Sequence, residues 1–91
     1  MPTVADFLTE LDAQLGRASR LGQTHLKINA GELHRVVGGY PPKRGESHAM
    51  PSCCQAMWKR FEFGWDREIS VPPSRKGATL TLSYKLPRSA E

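Results

Sequence analysis

The sequence predicts a single α+β domain with the element order helix, strand, helix, helix, strand, strand. Three features predict it: apolar residues at helical spacing near the N-terminus, two helical segments interrupted by glycine and proline, and apolar–polar alternation towards the C-terminus. The 91 residues are enough for one small hydrophobic core. We expect one domain over residues 1–91, with an ordered core from about residue 3 to residue 87.

The first helix begins after Thr3, a favoured N-cap residue with Asp6 three positions later, as in a capping box. It is expected to end near Leu21 and Gly22. Its apolar stripe must pack either on the rest of the domain or on a second copy of the chain. The stripe consists of Val4, Phe7, Leu8, Leu11, Leu15 and Ala18.

A short strand from Thr24 to Ile28 and a short helix follow. In the strand, His25 and Lys27 are expected to face solvent. Asn29 followed by Glu32 is a typical helix start, and Gly38–Gly39 ends the helix. Its predicted apolar face is Leu33, Val36 and Val37, with His34 and Arg35 off that face.

A proline-rich loop, Tyr40–Ser47, separates this helix from the next one, which opens at Met50–Pro51. Lys43 and Arg44 lie at the loop tip, where they either contact a phosphate backbone or are simply solvated. The predicted core stripe of the third helix is Cys54, Met57, Trp58 and Phe61. The opposite face carries Ser52, Gln55, Ala56, Lys59 and Arg60.

The C-terminal part predicts a β-hairpin. Phe63 and Trp65 are expected to cover the edge of the core, and Ile69 and Val71 form a short strand. The connection contains Arg75 and Lys76, which gives the hairpin a basic tip. In the final strand the inward residues are Leu80, Leu82, Tyr84 and Leu86, and the outward ones are Thr79, Thr81, Ser83 and Lys85.

This order of elements resembles the winged helix-turn-helix superfamily of DNA-binding domains. The resemblance is carried by AGELHRVVGG, PSCCQAMWKRF and the hairpin ISVPPSRKGATLTLSY, although the turn between the paired helices is longer than in a simple helix-turn-helix. It implies that the third helix enters the major groove and the hairpin touches the backbone. The implied contact residues are Ser52, Gln55, Ala56, Lys59 and Arg60 for bases, and Arg75 and Lys76 for phosphates.

Charge distribution favours the same function. The net charge is +4, and residues 31–91 hold ten Lys/Arg against six Asp/Glu, whereas residues 1–30 are balanced. The excess positive charge of residues 31–91 favours contact with phosphate groups. The sequence has no run of about 20 apolar residues and no basic-then-apolar leader, which predicts a cytoplasmic protein. Cys53 and Cys54 are adjacent and are expected to be reduced thiols.

Catalytic and metal chemistry is not predicted. His34, His48, Cys53 and Cys54 lie near one another in sequence, but adjacent cysteines are poorly placed for one tetrahedral zinc ion. Cys54 belongs to the core stripe, where a thiol is unreactive. A phosphate-binding loop ending in G-K-[ST] is absent, and acidic residues lack the spacing of a two-metal nuclease. We expect no enzyme activity, cofactor or metal.

Two functions remain as hypotheses. The first is a small protein that binds double-stranded DNA, as a transcription regulator or as an accessory factor of a phage or mobile element. The second is an interaction module, an inhibitor or adaptor, that docks on a larger protein assembly in nucleic-acid machinery. A regulator would pair through its first helix as a homodimer, whereas an adaptor would use Phe63, Trp65 or the long loop.

Overall fold

The computed structural model describes residues 3–38 and 49–87, which form three helices beside a three-stranded sheet. The predicted loop over residues 40–47, with Lys43 and Arg44, lies outside the described residues, as does His48. In chain order the elements are α1 (Val4–Arg20), β1 (His25–Asn29), α2 (Ala30–Val37), α3 (Met50–Arg60), β2 (Arg67–Ser70) and β3 (Thr81–Lys85). The predicted α+β class is therefore confirmed at the level of helices packed with a small antiparallel sheet.

Helix α1 begins with the predicted capping box. The Thr3 hydroxyl accepts a hydrogen bond from the Asp6 amide at 3.3 Å, and the Asp6 carboxylate accepts one from the Thr3 amide at 2.8 Å. Four residues of its apolar stripe (Phe7, Leu11, Leu15 and Ala18) are buried in the chain's own core, and Val4 and Leu8 pack at its edge. The stripe proposed for homodimerisation is thus already used within the monomer.

The sheet has the order β1–β3–β2, with both pairs antiparallel. Strand β3 is central, and its pairing with β1 runs from His25 opposite Lys85 to Asn29 opposite Thr81. Strand β2 is an exposed edge strand with an irregularity between Glu68 and Ser70.

Side chains of β3 follow the predicted alternation with one exception. The four apolar residues Leu80, Leu82, Tyr84 and Leu86 are buried as predicted. Ser83, predicted to face outward, is buried because it is flanked on both sides, by Lys27 of β1 and by Arg67 of β2. The second strand differs too: it ends at Ser70, so Val71 is not part of it, and Ile69 is largely exposed.

The first turn of α2 is joined to the segment before β3. The amide of Ala30 donates to the Leu80 carbonyl at 2.8 Å, and the amide of Gly31 donates to the Ala78 carbonyl at 3.1 Å. The Asn29 side chain accepts from the Glu32 amide at 3.1 Å and donates to the Thr81 hydroxyl at 3.0 Å. Three helix-start amides that lack intrahelical partners are therefore satisfied.

The buried face of α2 is rotated from the predicted one: Leu33 is buried and Val37 packs at the edge of the core as predicted, but Val36 is not buried. The buried residues are Ala30, Leu33 and His34, whereas Val36 is exposed. The cause is that α2 packs against both α1 and α3, which turns its Ala30–Leu33–His34 side inward. The His34 ring lies edge-on to Phe7 with ring centroids 5.1 Å apart. The prediction that His34 lies off the buried face was therefore wrong.

The turn between α3 and β2 is held by a buried carboxylate. Asp66 accepts hydrogen bonds from the amides of Glu62 and Lys85, both at 2.8 Å. This fixes residues 62–66 against the end of β3. Phe63 and Trp65, predicted to cover the edge of the core, are largely exposed, although the Phe63 ring meets buried Phe61 edge-on with ring centroids 4.9 Å apart.

None of the helices in residues 3–38 and 49–87 is long and apolar enough to cross a lipid bilayer.

The sheet and α3 are joined through Tyr84, whose buried hydroxyl donates to the Met57 carbonyl at 2.7 Å. We expect Tyr84→Phe to lower the free energy of unfolding by about 1–2 kcal/mol, because a buried hydrogen bond near the C-terminal end of α3 is lost. Urea unfolding measures this. Ser70→Ala, which removes an exposed hydroxyl from β2, serves as the control and should change stability by less than about 0.5 kcal/mol. Equal stabilities of the Tyr84 variant and the parent would contradict the role of this bond.

Candidate nucleic-acid interface

The exposed face of α3 carries three of the predicted contact residues. Gln55 and Lys59 are exposed and lie one helical turn apart, and Ser52 is half-buried one turn before Gln55. Amide and ammonium groups in such a row present donors and an acceptor to one side of the helix. The face is therefore chemically suited to hydrogen bonding with base edges or phosphates.

Ala56, predicted to lie on this face, is fully buried. Helix α3 contacts α1 and α2, and its buried residues Cys53, Cys54, Ala56 and Met57 form a broad apolar face. The small methyl group of Ala56 belongs to that face, so the prediction of a base contact at Ala56 was wrong. Trp58, predicted in the core stripe, is only half-buried and lies at the boundary.

Arg60 is engaged within the chain rather than presented to a ligand. Its guanidinium donates two hydrogen bonds to the carboxylate of Asp12 in α1, Nε to Oδ1 at 2.8 Å and Nη2 to Oδ2 at 2.9 Å. The bonds to Asp12 raise the pKa of Arg60 above its ordinary value, against the opposing effect of burial. This bidentate pair holds α3 on α1 and occupies the guanidinium that was predicted to contact bases.

Arg75 lies against α3 through two contacts with Trp58. The indole Nε1–H donates to the Arg75 carbonyl at 2.9 Å, and the guanidinium carbon lies 4.2 Å from the centre of the indole ring. Arg75 has a φ of 61°, a left-handed conformation that costs a non-glycine residue on the order of 1 kcal/mol. Trp58 thus stabilises a strained backbone and orients a cation beside α3.

The rest of the connection between β2 and β3 also lies on α3. The Cys54 sulfur accepts a hydrogen bond from the Gly77 amide at 3.2 Å and donates one to the Gly77 carbonyl at 3.5 Å. Next to it, Lys76 lines a shallow groove of about 350 Å³ at the start of α3, together with Met50, Pro51, Gly77 and Ala78. The cations of this connection, Arg75 and Lys76, therefore flank the exposed face of α3.

One carboxylate reduces the positive charge of this surface. Glu68 of β2 lies 3.5 Å from Arg75, and both side chains are about half exposed. Solvent weakens such a pair, so it leaves Arg75 available to an incoming anion. The predicted contacts at Lys43 and Arg44 lie outside the described residues.

Both cysteines are buried free thiols. Burial, reinforced by the adjacent Cys54, raises the pKa of Cys53 to about 12 from an ordinary 9.0. Burial also raises the pKa of Cys54, opposed by the Gly77 amide and by Lys76. Among residues 3–38 and 49–87, no three His, Cys, Asp or Glu side chains are grouped closely enough to hold a metal ion.

Comparisons with known proteins give no relative. No protein-family model matches the chain, and no curated protein or solved structure matches it.

Arg60 and Lys59 are sequence neighbours in different surroundings: Arg60 is paired with Asp12, and Lys59 is exposed. We expect Arg60→Ala to lower the free energy of unfolding by about 1–2 kcal/mol, because Asp12 loses a bidentate partner that water only partly screens. Lys59→Ala should change stability by less than about 0.5 kcal/mol. A cycle with Asp12→Asn tests the pair: additive effects of the two substitutions in urea unfolding would show that the bond contributes nothing.

The thiol of Cys53 links stability to alkaline pH. Well below pH 9 the thiol is protonated in both the folded and unfolded states, so it has no effect on stability. As the pH rises from about 9 towards 12, the unfolded state loses the proton first, and the folded state is destabilised. We expect Cys53→Ala to lose less stability than the parent between pH 8.5 and about 10.5, measured by urea unfolding at each pH. Ser52→Ala should follow the parent profile, and a Cys53→Ala profile identical to the parent's would contradict burial of the thiol.

Proposed function

We propose that this protein binds double-stranded DNA with the exposed face of α3 and the flanking cations of the β2–β3 connection. One observation carries the proposal: Arg75 and Lys76 lie against the same helix that exposes Gln55 and Lys59. Three cations and an amide then lie on or beside one helix. The resemblance to winged helix-turn-helix domains supports the same orientation, with α3 in the major groove.

The proposed surface makes two kinds of contact, one with phosphates and one with base edges. Lys59, Arg75 and Lys76 are cations suited to phosphates, which supply affinity without sequence information. Gln55 has both an amide donor and a carbonyl acceptor, the pair needed for a bidentate contact with adenine. The surface is short, so most of its affinity would come from phosphate contacts and would fall steeply with salt.

Removing the two connection cations tests the phosphate contacts. We expect Arg75→Ala with Lys76→Ala to weaken binding to all duplexes alike and to flatten the slope of log affinity against log salt by about one unit per lost contact. Fluorescence anisotropy with a labelled random duplex, from about 50 mM to about 200 mM salt, measures it. Arg20→Ala is the matched control, since Arg20 is an exposed cation at the far end of α1.

The same anisotropy measurement, made on a selected site and on random duplex, separates base contacts from phosphate contacts. On a site selected from a random pool, Gln55→Ala should cost about 1–3 kcal/mol of binding free energy, and much less on random duplex. The proposal would be overturned if the parent protein did not bind duplex DNA at about 50 mM salt. It would also be overturned if Arg20→Ala and the double substitution reduced duplex affinity equally. Selection that enriches no site would restrict the function to general phosphate binding.

A further inference from the structure

The turn between α3 and β2 exposes two large aromatic side chains. Phe63 is 74% exposed and Trp65 is 65% exposed, although only one residue separates them. The turn is ordered by the Asp66 carboxylate and by hydrogen bonds from the amides of Trp65 and Asp66 to the Glu62 carbonyl, at 3.1 Å and 2.9 Å. The backbone that carries the two rings is therefore held in place by hydrogen bonds. Leaving both rings in contact with water is unfavourable, because exposed apolar surface costs free energy.

Each exposed ring is part of an aromatic–cation arrangement. Phe63 lies nearly parallel to Trp58, with an interplanar angle of 11° and ring centroids 6.5 Å apart. Arg75 lies over that same indole, and the Lys85 ammonium lies 4.8 Å from the centre of the Trp65 ring. We call Trp58, Phe63 and Trp65 the aromatic edge. Trp58 places the aromatic edge at the C-terminal end of α3.

We propose that the aromatic edge binds unpaired bases of single-stranded nucleic acid. Bases stack on the open ring faces of Phe63 and Trp65, and the cations observed at Trp58 and Trp65, which are Arg75 and Lys85, contact phosphates of the strand. Flat rings interleaved with cations are what a strand of nucleotides requires, because every base has a π-face and every linkage a charge. A purely apolar protein partner would gain little from a cation at each ring.

This function goes beyond duplex binding by α3 and does not depend on it. A base-paired duplex hides the faces of its bases, so the aromatic edge distinguishes unpaired strands from paired ones. Glu62 is the exposed acidic residue of the turn, whereas Asp66 is buried, and Glu62 lines the same small pocket as Trp65 and Lys85. Its carboxylate repels phosphates, so removing its charge should strengthen binding to a strand.

The test uses a labelled oligo-dT of about 12 nucleotides, a length within the site sizes of single-strand-binding domains. We expect Phe63→Leu to weaken its binding about tenfold in fluorescence anisotropy, since the loss of one stacking ring has roughly that effect. Glu62→Gln should strengthen it. Binding should also quench emission from the two tryptophans, Trp58 and Trp65. Leu21→Ala, which trims an exposed apolar residue at the end of α1, is the matched control and should bind as the parent does.

Three results would overturn the inference. They are absence of oligo-dT binding by the folded parent at about 50 mM salt, an unchanged affinity of Phe63→Leu, and concentration-dependent self-association that Phe63→Leu abolishes. The last would make the aromatic edge a contact between copies of the chain, visible by light scattering. The two proposals can fail separately, because they respond to different substitutions. Phe63→Leu should leave random-duplex affinity within about twofold, whereas the Arg75 and Lys76 double substitution should reduce it.

Discussion

The first turn of α2 is the constraint on which the rest of the structure depends. Its backbone amides bind carbonyls of residues 78 and 80, so α2 and the segment before β3 cannot move independently. Gly31 allows this contact, because a Cβ there would lie 3.2 Å from both the Ala78 carbonyl oxygen and the Asn29 side chain. Larger side chains would force the two segments apart. The connection between β2 and β3 is thereby brought back onto the helices.

That constraint explains why two cations meet α3. With residues 78–80 fixed on α2, the preceding residues cross α3, where Cys54 binds Gly77 and Trp58 binds Arg75. The strained φ of Arg75 is tolerated because its amide, its carbonyl and its guanidinium all have partners on the protein. The positions of Arg75 and Lys76 therefore follow from hydrogen bonds that attach the β2–β3 connection to α2 and α3.

Local signals in the sequence were sufficient for the helices and for β3. The capping box at Thr3, the Asn29 cap and the alternation from Leu80 to Leu86 depend only on neighbouring residues, and all three are found in the structure. Burial of Ala56 and pairing of Arg60 with Asp12 could not be predicted, because both depend on how α1 and α2 meet α3. Arg60 and Asp12 lie 48 positions apart, and no local pattern connects them.

Trp58 contacts a residue of each of the two proposed binding surfaces. Its indole contacts Arg75, a cation of the proposed duplex-binding face, and lies parallel to Phe63 of the aromatic edge. A phosphate that draws the guanidinium away from the ring would weaken a cation–π contact worth about 0.5–1 kcal/mol at an exposed site. A base that stacks beside Phe63 lies next to an indole whose ring face already attracts the Arg75 guanidinium electrostatically. If both proposed surfaces bind nucleic acid, the coupling through Trp58 is limited to about the energy of that cation–π contact, and by linkage it is equal in both directions.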